Sequence, residues 1–223
     1  MADRTLSNEL HAARYEISHR LMGSLLHDVR NPLNTMSINL EILSEKVKKD
    51  PVTMEKVEKN LRVAREQIMK IDGLLRQFSE FMAPRPLTAT DVDLLEVVHR
   101  ASAVVAHETR KSRVQISASG TQSAGQLPHK IFSQDPSALS FLVLQALMRA
   151  ISRCPAGTEV SLNLHREGDT VHLQIDDQGQ NDNETQLEHF PLALGVMRDI
   201  ALQHNAQFNV EGSRFAVGFP ATA

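Results

Sequence analysis

The stretch of sequence that decides the fold runs Leu25-Leu26-His27-Asp28-Val29-Arg30-Asn31-Pro32-Leu33. It lies in a longer segment whose apolar residues recur at alternating steps of four and three, namely Met22, Leu26, Val29, Leu33, Met36, Leu40, Leu43 and Val47. This is the heptad spacing of packed helices, and it predicts one long helix over residues 5–48. His27 falls just beside the apolar seam, so a helical bundle would leave its imidazole accessible.

The surroundings of His27 add a carboxylate and an amide. Asp28 follows it directly, and Asn31 lies one helical turn further on and shares its face. Pro32 removes a backbone donor and crowds the carbonyl group of Asp28, which predicts a bend just below the histidine. At the start of the helix, Ser7 is the predicted N-cap.

A second helix is predicted after the dipeptide Asp50-Pro51, in which aspartate serves as N-cap and proline takes the first helical position. Its apolar residues repeat the steps of four and three at Val57, Leu61, Ala64, Ile68, Ile71, Leu75, Phe78 and Met82. Two such helices joined by a short turn predict an antiparallel helical hairpin. Because one hairpin cannot cover both apolar seams, we expect two copies to pair as a homodimer with a four-helix bundle.

The rest of the chain predicts a different fold class, an α/β sandwich with a mixed sheet covered by helices on one face. Residues 84–90, with two prolines, are the predicted linker, so the expected domains are residues 1–83 and 91–223. The predicted elements are a helix over 91–108 capped by Thr90, strands at 114–118 and 130–133, a helix opening at Asp135-Pro136 and running to Ile151, a hairpin of 159–164 and 170–175, a helix over 192–204, and a hairpin of 207–210 and 214–219.

Composition excludes several classes of function. The formal net charge of −3 does not show the excess of positive charge that is typical of proteins that bind nucleic acid or an anionic membrane. No apolar run approaches the roughly 20 residues that span a bilayer, and the N-terminus lacks the apolar core of a signal peptide. The single cysteine, Cys154, excludes an internal disulfide framework. We therefore expect a cytoplasmic protein without membrane or nucleic-acid partners. The short chain before His27 indicates that any signal arrives through a partner.

The pattern His27-Asp28-x-x-Asn31-Pro32-Leu33 on a heptad helix resembles the phosphoacceptor box of the histidine kinases of two-component signalling. The order of α/β elements is similar to the ATP-binding domain of that family, so the resemblance covers residues from about 15 to 220. It implies that His27 is the phosphoacceptor, that Asp28 orients the imidazole, and that Asn31 positions a water or the phosphoryl group. The alternative is a surface histidine on an ordinary coiled coil.

The residues that correspond to the family's ATP site depart from its pattern. Gln145 and Arg149 stand where the family carries two asparagines, the second of which helps to hold Mg²⁺. A guanidinium group has no lone pair to offer a metal ion and repels it. Asp177 and Gly179 keep the start of the family's Asp-x-Gly-x-Gly motif, and they correspond to the acceptor for the adenine amino group and to a point of close approach. Asn181 replaces the second glycine.

Two further departures concern the triphosphate. The segment Pro191-Leu192-Ala193-Leu194 stands in place of the family's glycine-rich turn, whose backbone amides cradle phosphates at a helix start. The chain between Asn181 and Pro191 is too short for the usual ATP lid. We therefore expect Mg-ATP chemistry to be lost, with no cofactor and no metal bound by this chain. The alternative is that Arg149 replaces Mg²⁺ as the counter-charge, which leaves nucleotide binding or slow turnover.

A complete phosphoacceptor box beside a degenerate ATP site predicts a histidine phosphotransfer protein of a two-component phosphorelay. In this hypothesis His27 relays phosphoryl groups between response-regulator receiver domains, which supply the Mg²⁺, and a hybrid kinase upstream is a further candidate partner. Three alternatives stay open. They are an active ATP-dependent histidine kinase without a sensor, a response-regulator phosphatase or scaffold without a phosphohistidine, and a purely structural coiled-coil dimer.

Overall fold

The computed structural model describes residues 2–49, 54–82, 88–119, 129–179 and 191–222. These residues form two compact units, which are Ser18–Glu80 and the described residues outside that range. Residues 2–17 thus group with the α/β unit, although they belong to the same helix as His27. Residues 84–87 of the predicted linker lie outside the described residues, so the predicted domain boundaries stay a prediction.

The chain begins with helices α1, Ala2–Lys49, and α2, Met54–Met82, which confirms the predicted helical hairpin. The helical unit contains α1 from Ser18 onward and α2 up to Glu80. Helix α1 is continuous through Pro32. The prediction that Ser7 caps this helix is wrong, because α1 already begins at Ala2 and Ser7 lies inside it. The predicted cap and first position of the second helix, Asp50 and Pro51, lie outside the described residues. No helix in the described ranges has both the length and the hydropathy that crossing a membrane requires.

The heptad residues of α1 and α2 whose exposure the structure describes divide into two rows, except Met22, which has the register of the first row but is 42% exposed. One row is half-buried and consists of Val29, Met36, Leu43, Val57, Ala64, Ile71 and Phe78. The other row is between 48% and 60% exposed and consists of Leu26, Leu33, Leu40, Val47, Leu61, Ile68 and Leu75. A single chain therefore partly buries the first row and leaves the second row exposed to solvent.

The α/β unit follows the predicted order of elements with one strand added at its start. Its elements are β1 Thr90–Asp93, α3 Leu94–Ser112, β2 Gln115–Ser119, β3 Lys130–Ser133, α4 Pro136–Arg153, β4 Glu159–Glu167, β5 Thr170–Asp176, α5 Pro191–Gln203, β6 Gln207–Glu211 and β7 Arg214–Pro220. Among the described residues, five strands form a mixed sheet in the order β2-β4-β5-β7-β6, in which β2 and β4 are parallel and the other neighbours are antiparallel. Strands β1 and β3 form a separate antiparallel pair.

The start of α3 differs from the prediction that Thr90 caps it. Thr90 is the first residue of β1 and pairs with Ser133 of β3, so the chain is still extended there. The N-cap is Asp93, whose side chain accepts the backbone N–H of Leu95 at 2.9 Å. The physical reason is the pairing of residues 90–93 with β3, which delays the helix by three residues.

Helix α4 is the most buried element of the α/β unit. The helix opens at Asp135-Pro136, as predicted, and Asp135 is its N-cap, whose carboxylate accepts the backbone N–H groups of Ser137 and Ala138. Every residue from Ser137 to Ile151 except Ser140 is buried. The sheet presents alternate apolar residues to this core, namely Val160, Leu162, Leu164, Val171, Leu173, Ile175, Phe215, Val217 and Phe219. A polar side chain at one of these buried positions of α4 therefore needs a partner in the interior.

Candidate functional site

His27 is held on the surface of α1 beside a carboxylate. Its side chain is 58% exposed, and its Nδ1 lies 3.4 Å from Oδ1 of Asp28, whose side chain is only 17% exposed. When the ring proton is on Nδ1, this contact is a long hydrogen bond to the carboxylate, and Nε2 carries the lone pair. The arrangement suits nucleophilic attack through Nε2, with Asp28 selecting the tautomer.

Asn31 lies one turn beyond His27 and is exposed. Its backbone carbonyl accepts a hydrogen bond from Oγ1 of Thr35 at 3.1 Å, and Nδ2 of Asn39 donates to the carbonyl of Thr35 at 2.8 Å. The turn below the histidine is thus braced by side chains as well as by helical hydrogen bonds. The structure brings His27 and Asp28 into contact and keeps Asn31 on the adjacent turn, while the chemical roles of the three residues stay predictions.

The second cluster predicted from sequence lies where α4 meets the end of β5, and Asp177 is at its centre. The Asp177 backbone N–H donates to the carbonyl of Ser213 at 2.9 Å, which fixes the residue just after β5. Its carboxylate is 1% exposed. Burial raises the pKa of Asp177, while the Gly179 amide and the guanidinium groups of Arg153 and Arg149 act to lower it.

The carboxylate of Asp177 is occupied by protein groups. Arg153 Nε donates to Oδ2 at 3.0 Å and to Oδ1 at 3.3 Å, the Gly179 N–H donates to Oδ1 at 2.9 Å, and Arg149 lies 3.9 Å from Oδ2. Arg149 also donates to the carbonyl of Gly212 at 3.3 Å. The arginine side chains are 6% and 5% exposed. Asp177 is therefore the anionic partner of two buried cations.

Arg153 has the shortest guanidinium contact in the cluster, yet it was not predicted from sequence. The available signal was its spacing, because Gln145, Arg149 and Arg153 are four residues apart and share one face of α4. Gln145 is also buried, at 3% exposed. The donor set does not suit Mg²⁺, since of these four side chains only Asp177 and the amide of Gln145 have lone pairs, and Asp177 is already paired.

Gly179 is needed for packing within the protein. A Cβ atom on it would lie 2.8 Å from Oδ1 of Asp177 and 3.0 Å from both Cβ and the carbonyl oxygen of Arg153. The close approach predicted at this glycine is thus made by the Asp177–Arg153 pair. Asn181 and the short segment up to Pro191 lie outside the described residues, apart from Pro191 itself, which begins α5.

Comparison with known proteins identifies the helical part of the chain. Residues 18–84 match the family described as the His Kinase A (phospho-acceptor) domain. The sensor-like histidine kinase SenX3 of Mycolicibacterium smegmatis is 23% identical over 93% of this chain and 59% of its own length. The adaptive-response sensory kinase SasA of a Synechococcus strain is 24% identical over 82% of this chain and 49% of its own length. The chain spans only about half to three fifths of these relatives.

Comparison with solved structures identifies the fold of the second part. The catalytic domain of histidine kinase ThkA has a TM-score of 0.50 and 14% identity, covering 60% of this chain and 97% of that structure. Full-length ShkA in complex with AMPPNP also has a TM-score of 0.50, at 17% identity, covering 92% of this chain and 46% of that one. At these identities the likeness concerns the fold.

The fold and the match at residues 18–84 together define the class of protein, which is a phosphoacceptor helical hairpin followed by an α/β domain of the histidine kinase ATP-binding fold. Residues 18–84 are thus a His Kinase A domain, and the chain is similar to histidine kinases of two-component signalling.

Proposed function

We propose that His27 accepts a phosphoryl group on Nε2 and exchanges it with the receiver domain of a response regulator. The observation that carries this proposal is the exposed imidazole with Nδ1 against Asp28, inside a His Kinase A domain. As the Nε2–P bond forms, the phosphorus–oxygen bond to the donor breaks and the donor oxygen leaves as an anion. The ring keeps its Nδ1 proton, so positive charge develops on it, and the Asp28 carboxylate stabilises that charge.

The first candidate for the phosphoryl source is the aspartyl phosphate of a receiver domain, which makes the chain a histidine phosphotransfer protein. The occupied carboxylate of Asp177 supports this candidate, because Arg153 and Gly179 hold the oxygens that would accept from an adenine amino group. In this mechanism the receiver supplies Mg²⁺ and this chain needs no cofactor. His27 only has to be presented on a rigid helix.

The second candidate source is ATP, which makes the chain a histidine kinase. The comparisons favour this candidate over a dedicated phosphotransfer protein, since the curated relatives SenX3 and SasA are named as kinases and ShkA is described in complex with AMPPNP. In this mechanism Arg149 takes the place of Mg²⁺ as the counter-charge of the phosphates. A nucleotide would also have to displace Arg153 from Asp177.

The exposed row of heptad residues supports a homodimer in either case. Leu26, Leu33 and Leu40 are each about half exposed in the single chain, and burying them against a second copy completes a four-helix bundle. A bundle of that kind would hold two His27 side chains on its surface, where receiver domains can dock.

One labelling experiment separates the candidates. The full chain is incubated with radiolabelled Mg-ATP, and in parallel with a panel of receiver domains phosphorylated by labelled acetyl phosphate. Phosphotransfer predicts label only from the receivers, on a bond that is acid-labile and base-stable, and His27→Ala removes it. The control is His19→Ala, which changes an exposed histidine two turns earlier on α1 and should keep the label.

Two other results of the labelling experiment would reject the phosphotransfer candidate. Prompt labelling from ATP alone, lost in His27→Ala, makes the chain a kinase and rejects the phosphotransfer candidate. No label from either source, combined with faster dephosphorylation of a receiver, leaves the phosphatase or scaffold alternative and rejects a phosphohistidine.

A further inference from the structure

Two histidines form a directly opposed cross-strand pair on the outer face of the mixed sheet. His165 of β4 and His172 of β5 are partners in the antiparallel register. Their neighbours Leu164 and Leu173 are buried in the core, and because side chains alternate along a strand, both imidazoles project from the other face. The ring centroids are 5.1 Å apart and the ring planes differ by 16°.

A glycine forms the floor beside this pair. Gly218 of β7 is the register partner of His172, and a Cβ on it would lie 3.3 Å from both Cε1 and Nδ1 of that ring. The missing side chain lets the His172 ring lie close to the β7 backbone. It also leaves a groove of about 420 Å³, which is lined by both histidines together with Gln174, Gln207 and Asn209.

One nitrogen of the pair lacks a protein partner. Among the residues that the structure describes, Nδ1 of His165 is buried and accepts or donates no hydrogen bond. Burying an imidazole nitrogen without a partner destabilises the fold, so such an atom calls for an explanation. A neutral imidazole nitrogen is also the commonest nitrogen ligand of transition metals in proteins.

We propose that His165 and His172 chelate a divalent transition-metal ion of the Zn²⁺ or Cu²⁺ kind across β4 and β5. Two metal–nitrogen bonds of about 2.1 Å at a near-tetrahedral angle place the two ring centroids about 5 Å apart, and the observed separation is 5.1 Å. Starting from the stacked arrangement, each ring turns about its Cβ–Cγ bond to direct one nitrogen at the ion. That torsion is broad and soft in histidine.

The groove offers oxygen ligands to complete the coordination. The side-chain NH₂ group of Gln174 donates to Asp176, and that of Asn209 donates to Glu211. The side-chain amide oxygens of Gln174 and Asn209 are therefore the atoms that can bind a metal ion. Glu167 is exposed and lies two residues beyond His165 on the same face of β4. Imidazole with carboxylate or amide oxygen suits Zn²⁺ and Cu²⁺ better than Mg²⁺ or Ca²⁺.

The test uses the full chain after dialysis against EDTA. Zn²⁺ is titrated calorimetrically, and Cu²⁺ bound to the wild-type chain is examined by electron paramagnetic resonance. We expect one ion per chain, a higher melting temperature with Zn²⁺ because the ion binds the folded state, and superhyperfine splitting from two imidazole nitrogens. His165→Gln and His172→Gln should each weaken Zn²⁺ binding by about tenfold or more. His99→Gln, at an exposed site on α3, is the matched control and should bind as the wild type does.

Either glutamine variant is sufficient for the test if circular dichroism shows that it folds, and the copper spectrum needs no variant. The proposal is overturned if a folded variant at position 165 or 172 binds Zn²⁺ as tightly as the wild type. It is also overturned if the copper spectrum shows fewer than two nitrogen ligands.

Discussion

His27 and Asn31 lie one helical turn apart on α1, and the proposed function gives them different roles: His27 attacks the phosphoryl group, and Asn31 orients a water. Attack by the imidazole needs only Nε2 and the Asp28 carboxylate on Nδ1. Hydrolysis of a receiver's aspartyl phosphate needs an oriented water, and an exposed amide one turn away can hold it. We therefore expect Asn31→Ala to slow dephosphorylation of a partner receiver by about tenfold or more, and to slow phosphorylation of His27 much less.

Both rates are measured on one preparation with a labelled receiver, and light scattering checks that the dimer persists. Asn34→Ala, at an exposed position on the next stretch of the same helix, is the control. An equal loss of both activities in Asn31→Ala would indicate a defect in docking instead of in water positioning.

The buried Arg153–Asp177 pair should contribute strongly to the stability of the α/β unit. Arg153→Ala leaves Asp177 buried with the weaker 3.9 Å contact to Arg149 as its remaining ion pair. Removing one partner of a buried pair costs about 3–5 kcal/mol. The free energy of unfolding from urea titration should fall by roughly that amount.

The matched control for this prediction is an exposed pair. Arg76 lies 3.1 Å from Asp72, and their side chains are 71% and 67% exposed. Water screens such a pair, so Arg76→Ala should change the free energy of unfolding by less than about 1 kcal/mol. Similar losses in both variants would show that burial does not set the strength of the Asp177 cluster.

At the scale of elements, the exposed row of α1 and α2 predicts which substitutions should disrupt the dimer. Leu40 belongs to that row and is 54% exposed in the single chain. In a four-helix bundle it would be buried, and an unpaired buried charge costs several kcal/mol. Leu40→Asp should convert the dimer to a monomer, measured by light scattering at micromolar concentration.

Ile38 provides the matched control because it is equally apolar and 56% exposed, but lies two residues off the seam. Ile38→Asp should leave the dimer intact. A stable wild-type monomer at micromolar concentration, or equal sensitivity at both positions, would contradict the bundle.

The start of α3 tests the difference between the predicted and the observed helix cap. Asp93 accepts the N–H of Leu95, so Asp93→Ala should destabilise the α/β unit by about 1 kcal/mol. Thr90 is exposed in β1, and Thr90→Ala should have an effect of less than about 0.5 kcal/mol. Thermal unfolding of the two variants measures the contrast, and a larger loss in Thr90→Ala would reverse the assignment.

At the scale of the whole molecule, local patterns carried most of the fold prediction. The heptads of the hairpin, the helix start at Asp135-Pro136 and the alternation in β4 and β5 depend on residues close in sequence, so local patterns predicted them. Strand β1 was missed because its partner β3 lies about 40 residues later and no local pattern announces that pairing. The cap at Thr90 was mispredicted for the same reason.

The residues of the candidate site also fall into those that a local motif predicts and those that only the fold brings together. His27, Asp28 and Asn31 sit within one motif and were predicted together. The engagement of Asp177 by Arg153 joins positions 24 residues apart, and it depends on how β5 ends beside α4. The sequence could identify Asp177 and Arg149 as members of one site, but it could not show that Arg153 binds the Asp177 carboxylate.

The cluster of Asp177 with two arginines also has a consequence for how such a site can change by mutation. Replacing Arg153 alone leaves the buried carboxylate undercompensated, and replacing Asp177 alone removes the anion that lies 3.0 Å from Arg153 and 3.9 Å from Arg149. Each single step costs several kcal/mol, against a total stability of about 5–15 kcal/mol for a typical domain. The three positions are therefore epistatic: a path toward a carboxylate open to a nucleotide has to pass through a poorly folded intermediate or change at least two residues at once. Engineering a nucleotide site here calls for the replacement of Arg153 to be combined, in the same variant, with a new group that compensates the buried Asp177 carboxylate.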